Sequence, residues 1–193
     1  MDNNTTAILD RLEETSEEFW NISHQTGNFI SMLIKAANIK NVLELGTSNG
    51  YSTLWIADAL KSTNGHLTTI EFWEKRQCIA RNNVEKCGLS EFVTFKIGQA
   101  YDIIMTELQN ENYDMVFIDA NKQEYLSLHD ARSKMKRFVP VTHARGHIFK
   151  AAYTPSTHSP AKTNACTPRF KHSFIHSHHF LSKCMHDKLL EKH

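Results

Sequence analysis

Four short runs of apolar and β-branched residues, each followed by a helical pattern or a turn, leave this chain few architectures. Residues 41–45 (NVLEL), 67–71 (LTTIE), 92–97 (FVTFKI) and 113–119 (YDMVFID) read as strands. Residues 51–60, 73–87 and 100–109 between them carry helical spacing, with Leu54, Trp55 and Ala59 inward in the first. Strands alternating with helices over short connections imply a parallel sheet covered on both faces. Two extra helices precede this unit. One spans 5–20, with Ile8, Leu9, Leu12 and Phe19 on one face and Glu13, Glu14, Glu17 and Glu18 turned to water. The other runs over 27–37 and buries Phe29, Ile30, Leu33 and Ile34. The fold class is α/β: a doubly wound, mostly parallel, Rossmann-like sheet with two N-terminal helices added.

Composition matters here because it breaks. The 193 residues carry a formal charge of +1, but residues 1–128 hold 10 Lys/Arg against 18 Asp/Glu. Residues 129–193 hold 12 against 3, together with 10 of the 12 His and all four Pro. Six of the seven Gly and all three Trp lie before the break. The two parts are therefore read as a domain at 1–128 and a basic, His/Pro-rich tail at 129–193. No apolar run reaches the roughly 18–20 residues that span a bilayer. The first residues lack the basic and apolar pattern of a secretory signal. Cys78, Cys87, Cys166 and Cys184 show no C-x-x-C spacing, which fits reduced thiols and a cytoplasmic protein.

The turn after the first strand is the most informative segment. Gly46 ends the strand and Gly50 opens the next helix, so backbone N–H groups there can approach a ligand closely. Glu44 lies two residues before the first glycine, and Glu71 closes the second strand, where an acidic residue holds ribose hydroxyls in doubly wound sheets. Neither G-x-G-x-x-G nor a Walker lysine is present, which disfavours dinucleotide hydride transfer and P-loop chemistry. A nucleoside without a pyrophosphate fits better.

The string ELGTSNGYST at 44–53, with YDMVFIDANKQEY at 113–125, closely resembles the S-adenosylmethionine-dependent O-methyltransferases of the catechol and caffeoyl-CoA type and their small bacterial relatives. The lead-in TGNFISML at 26–33 is similar to the same family, and the resemblance covers about residues 10–128. It implies the class I methyltransferase fold and S-adenosylmethionine as cofactor. Glu44 would anchor the methionine portion, with Gly46, Thr47 and Ser52 lining the same pocket. Glu71 would bind the ribose, and Ala100, in Gly98-Gln99-Ala100, would lie near the adenine. Asp119 would be the first ligand of a divalent cation such as Mg2+ and border the cofactor. Lys122 would be the general base on the acceptor hydroxyl. A cation lowers the pKa of the hydroxyl to be methylated, and a neighbouring lysine can take its proton.

The family pattern then stops. It calls for a glycine-rich turn and a strand ending in Asp-Asn, and after Asp119 the only aspartates are Asp130 and Asp187. The cation site is therefore incomplete and the C-terminal strands are read as missing or replaced. Losing strands leaves an open sheet edge and uncovered apolar surface, which favours instability. Three readings of the tail compete. His172, His176, His178 and His179 could form a metal cluster of a divergent cap, without partner Cys or carboxylate at motif spacing. The positive charge could make a basic arm, without the aromatic interleaving of a nucleic-acid module. The third reading, translation in a shifted frame beginning between about residues 126 and 137, accounts for most of the changes together.

The expected function is methyl transfer from S-adenosylmethionine to one hydroxyl of a catechol-like small molecule. The alternative is a catalytically inactive nucleoside-binding or interaction protein with a basic tail. Neither a membrane nor a nucleic acid is an expected partner, and the resemblance allows for a homodimer.

Overall fold

The computed structural model describes residues 1–119 and the backbone of 139–142. The chain begins with α1 (Asn3–Glu13), α2 (Ser16–Phe19) and α3 (His24–Ala36). Then β1 (Asn41–Leu45), α4 (Tyr51–Thr63), β2 (His66–Glu71), α5 (Glu74–Lys86), β3 (Val93–Ile97), α6 (Ala100–Thr106) and β4 (Met115–Ile118) alternate, with β5 (Val139–Thr142) beyond them. The sheet order is β3-β2-β1-β4-β5, and every pairing is parallel.

This is the expected doubly wound sheet, and the pleat explains its two cores. Val42 of β1 joins α1, α3 and α4 on one face, through Ile8, Ile30, Ile34, Leu54 and Leu60. Leu43 and Leu45 point the other way and meet Ile103, Ile104 and Leu108 of the α6 region. Glu44 falls between two inward leucines and so shares the α4 face, in register with Thr69 of β2 and Phe117 of β4.

Three local differences from the sequence reading have physical causes. The expected helix over 5–20 breaks into α1 and α2 at Glu14 and Thr15. Glu13–Glu17 and Glu14–Glu18 would place like charges four apart, and Thr15 turns its hydroxyl back to the Leu12 carbonyl at 3.1 Å. The next helix starts earlier, at His24, where Ser23 caps it by accepting from the Thr26 amide at 3.2 Å. Its buried stripe runs through Thr26, Gly27, Ile30, Ser31 and Ile34, leaving Phe29 exposed. Trp55 fills the space a side chain at Gly27 would need, since a Cβ there would lie 2.4 Å from the indole nitrogen. A contact made by an absent side chain leaves no mark in a hydrophobic pattern.

The third difference concerns the sheet's length. Residues 139–142 form a fifth strand parallel to β4, past the compositional break at 128. Pro140 sits in the outer strand of the described sheet, a position that tolerates a residue with no N–H to donate. One further strand thus stands beside β4 among the described residues, where the family's own strands were expected to be missing or replaced.

Candidate functional site: the glycine turn and its two glutamates

The sheet reverses its winding between β1 and β4, and in open α/β sheets ligands bind outside the carboxyl ends of the strands at such a point. The Asp119 amide donates to the Leu45 carbonyl at 2.9 Å, which joins the ends of β4 and β1. The Gly46 amide donates to the Ile70 carbonyl at 2.9 Å, which joins β1 to β2. Between them the chain turns tightly, the Gly50 amide donating to the Thr47 carbonyl at 2.9 Å. Gly46 and Gly50 have φ of 99° and 87°. At Gly50 a Cβ would also lie 3.0 Å from Cα of Ala80 in α5, so both conformation and space require glycine.

Glu44 is fully buried, and its carboxylate is wrapped by hydroxyls. Ser52 donates to Oε1 at 2.5 Å, and Thr53 and Thr69 donate to Oε2 at 2.6 and 2.7 Å. Thr47 shares a hydrogen with Thr69 at 2.6 Å. Burial pushes the Glu44 carboxyl up to about 7, against the three hydroxyls that lower it, and the charge of Asp119 adds to the rise. No Lys or Arg forms an ion pair with it among the described residues.

Glu71 is held differently. Its Oε2 accepts from the Ser48 amide at 2.8 Å and its Oε1 from the Trp73 amide at 2.9 Å. One oxygen thus grips the glycine turn and the other the start of α5. Each retains a lone pair for a further donor.

Gly46, Thr47, Ser52, Glu44 and Glu71 are therefore brought together around one turn. Ala100 opens α6, following Gly98 at φ 141° after β3. Asp119 stands partly exposed at the end of β4. Lys122 lies outside the described residues, as do His172, His176, His178 and His179. Among the described residues no group of three or more His, Cys, Asp or Glu could hold a metal ion. Asp119 is thus the one described residue that the resemblance assigns to a cation, and no step is derived through one.

Sequence reading missed the partners that shape this site. Thr69 would have emerged only once the β1–β2 register was known, and Thr53 only once α4 was seated on that face of the sheet. Asn83 of α5 donates to the Asn49 carbonyl at 3.0 Å. The N-terminal helices also reach the turn: Tyr51 hydrogen-bonds Glu13, Ser48 Oγ donates to the Phe19 carbonyl at 3.2 Å, and Arg76 lies over the Phe19 ring. A separate cleft of about 420 Å³ opens at the amino ends of the strands, beside Asn41, His66, Thr68, Lys96, Glu107 and Tyr113. Lys96 and Glu107 in its lining pair with each other at 2.6 Å, and it lies at the end of the sheet opposite the turn. The strand ends carry the better site.

Sheet order, switch point and strand-end glutamates define a class I methyltransferase fold. A family model described as O-methyltransferase matches residues 3–139, and the chain belongs to that family. It is 38% identical over 121 residues to a catechol O-methyltransferase of Niastella koreensis, covering 62% of this chain and 54% of that protein. It is 36% identical over 143 residues to caffeoyl-CoA O-methyltransferase 2 of Petunia hybrida, covering 70% and 56%. The chain thus spans about half the length of these curated relatives. Among solved structures, the O-methyltransferase from Bacillus cereus in complex with SAH superposes with a TM-score of 0.63 at 30% identity, covering 73% of this chain and 66% of that one. No described helix is long and apolar enough to cross a membrane.

Proposed function

We propose that the turn binds S-adenosylmethionine and that the chain's activity is methyl transfer to a hydroxyl of a catechol-like small molecule. The observation that carries this reading is the pair Glu44 and Glu71, on neighbouring strands either side of one glycine turn. A nucleoside with a cationic amino-acid arm matches that pair. Glu71 has acceptor capacity left for ribose hydroxyls, and Glu44 is a buried carboxylate with no ion-pair partner among the described residues. Bound S-adenosylmethionine supplies a methyl group on a sulfonium, transferred by in-line displacement. The protein's own contribution is alignment. Gly46 and Gly50 let the backbone close on the ligand, Ser52 sets the Glu44 carboxylate, and Ala100 borders the adenine. On the acceptor side Asp119 faces the hydroxyl, and Lys122 Nζ takes its proton.

Calorimetry with S-adenosylhomocysteine and with NAD tests the cofactor. Binding of the first alone is expected; binding of NAD alone would replace this reading with an oxidoreductase. Radiolabelled methyl transfer to catechol, with and without magnesium, tests the reaction. Cofactor binding without transfer would favour the inactive nucleoside-binding protein, for which the truncated family pattern after Asp119 speaks.

For residues 129–193 we infer a segment translated in a shifted frame. The coding DNA around codons 126–137, read in the other two frames, is expected to give a Gly-Gly turn followed by an Asp-Asn strand end. If neither frame does so, the inference fails.

A further inference from the structure

With Glu44 ionised, the hydroxyls around it have one direction of donation. An ionised carboxylate only accepts, and a threonine hydroxyl has one hydrogen. Thr69 gives that hydrogen to Glu44 Oε2 at 2.7 Å, so in its 2.6 Å contact with Thr47 it must accept. Thr47 is therefore the donor, and the order runs Thr47 to Thr69 to Glu44. Thr53 also donates to Oε2, so that oxygen is saturated, whereas Oε1 carries Ser52 alone. Oε1 is left with the one acceptor position not filled by a described residue. Thr69 sits opposite Glu44 in the β1–β2 register and is itself fully buried. It touches the carboxylate and the turn but not solvent.

We propose that Thr69 is a positioning residue for the cofactor's amino-acid arm: by bridging Glu44 and Thr47 it fixes the carboxylate so that Oε1, beside Ser52, meets the ligand's ammonium group. This rests on the cofactor reading above. Without the bridge, Oε2 loses a donor, the carboxylate can rotate between its hydroxyls, and the Thr47 end of the turn is released. The adenosine half of the ligand, held at Glu71 on the far side of the turn, does not depend on it.

The test compares two ligands by calorimetry. S-Adenosylhomocysteine carries the amino-acid arm, and 5′-methylthioadenosine has the same adenosine and thioether without it. For Thr69→Val the affinity for S-adenosylhomocysteine is expected to fall about tenfold, the scale of one hydrogen bond to a charged group. The affinity for methylthioadenosine should change less than about twofold, and Thr69→Ser should restore the first without altering the second. Equal losses on both ligands would assign Thr69 a merely structural role and overturn the proposal, as would an unchanged affinity for S-adenosylhomocysteine. Should Thr69→Val fail to fold, Thr69→Cys, a weak donor of similar size, carries the same comparison. Failure of the wild-type protein to bind either ligand would overturn the cofactor reading itself, a result distinct from the other two.

Discussion

The carboxyl ends of β1 and β2 each carry a glutamate beside the same turn, and the fold holds the two by different kinds of group. Glu71, at the rim, takes two backbone amides, whose positions are fixed by the main chain. Glu44, inside, takes three side-chain hydroxyls from α4 and β2. Amides cannot turn away, so Glu71 is set whenever the turn is formed. Hydroxyls can rotate and exchange donor and acceptor roles, so the Glu44 carboxyl can take up a proton without losing its neighbours. One glutamate reads as a rigid hook and the other as a site whose charge answers to what binds.

Removing the rigid member should have the largest effect. In Glu71→Ala the ribose loses its acceptor and the Ser48 amide loses its partner. With charged hydrogen bonds worth about 1.5–3 kcal/mol each, affinity for S-adenosylhomocysteine is expected to drop between about tenfold and a few hundredfold. Methylthioadenosine, which shares the ribose, should lose as much. A loss under about threefold in calorimetry would mean that Glu71 only ties the turn.

Glu44→Gln should cost less and be selective. A carboxamide keeps one acceptor oxygen and replaces the other with a donor, which Ser52 can accommodate by accepting. Affinity for S-adenosylhomocysteine is expected to fall about tenfold, while methylthioadenosine binding is retained. In the wild type the affinity for S-adenosylhomocysteine should rise as pH is raised through about 7, because only the ionised form of Glu44 attracts the ammonium. The variant should lose that rise; if it keeps it, another group is responsible.

What was legible in the sequence follows the same division. The places of Glu71 and Gly46 were readable because they depend on position along the chain: a strand end, and the turn after a strand. Glu44 was marked by its place before the glycine, but its setting was not. That setting depends on register and pleat, which put Thr69 beside it and Ser52 and Thr53 above it. The break between α1 and α2 was likewise carried by charge spacing and hydroxyls, beneath a continuous apolar periodicity. The expected face of α3 was turned because Gly27 and Trp55 meet through a side chain that is not there. At 139–142 the residues VPVT form a strand that the sequence reading did not propose, because the family's glycine-rich turn and Asp-Asn strand end are absent there.

A smaller effect tests the turn that both glutamates share. Gly50→Ala forces a side chain into positive φ against the α5 backbone. The conformation alone costs about 1–2 kcal/mol. For a chain of this size that corresponds to a fall in Tm of roughly 2–8 °C, before any cost of displacing Ala80. An unchanged Tm in a thermal melt would show that the turn has a relaxed alternative.

Stability without any ligand tests the buried glutamate by the sign of its pH dependence. Burial raises Glu44 from 4.5 to about 7 in the folded protein. Between those values the folded state keeps a proton that the unfolded state has released, so this group makes folding less favourable as pH rises through the window. Below about 4.5 it contributes nothing to the pH dependence, and above about 7 its cost is constant. Glu44→Gln carries no such proton. The Tm of the variant relative to the wild type should therefore climb from pH 5 to pH 8 and then level off. A difference that stays flat would mean that the three hydroxyls compensate the buried charge fully; one that falls would put the Glu44 carboxyl below its ordinary value.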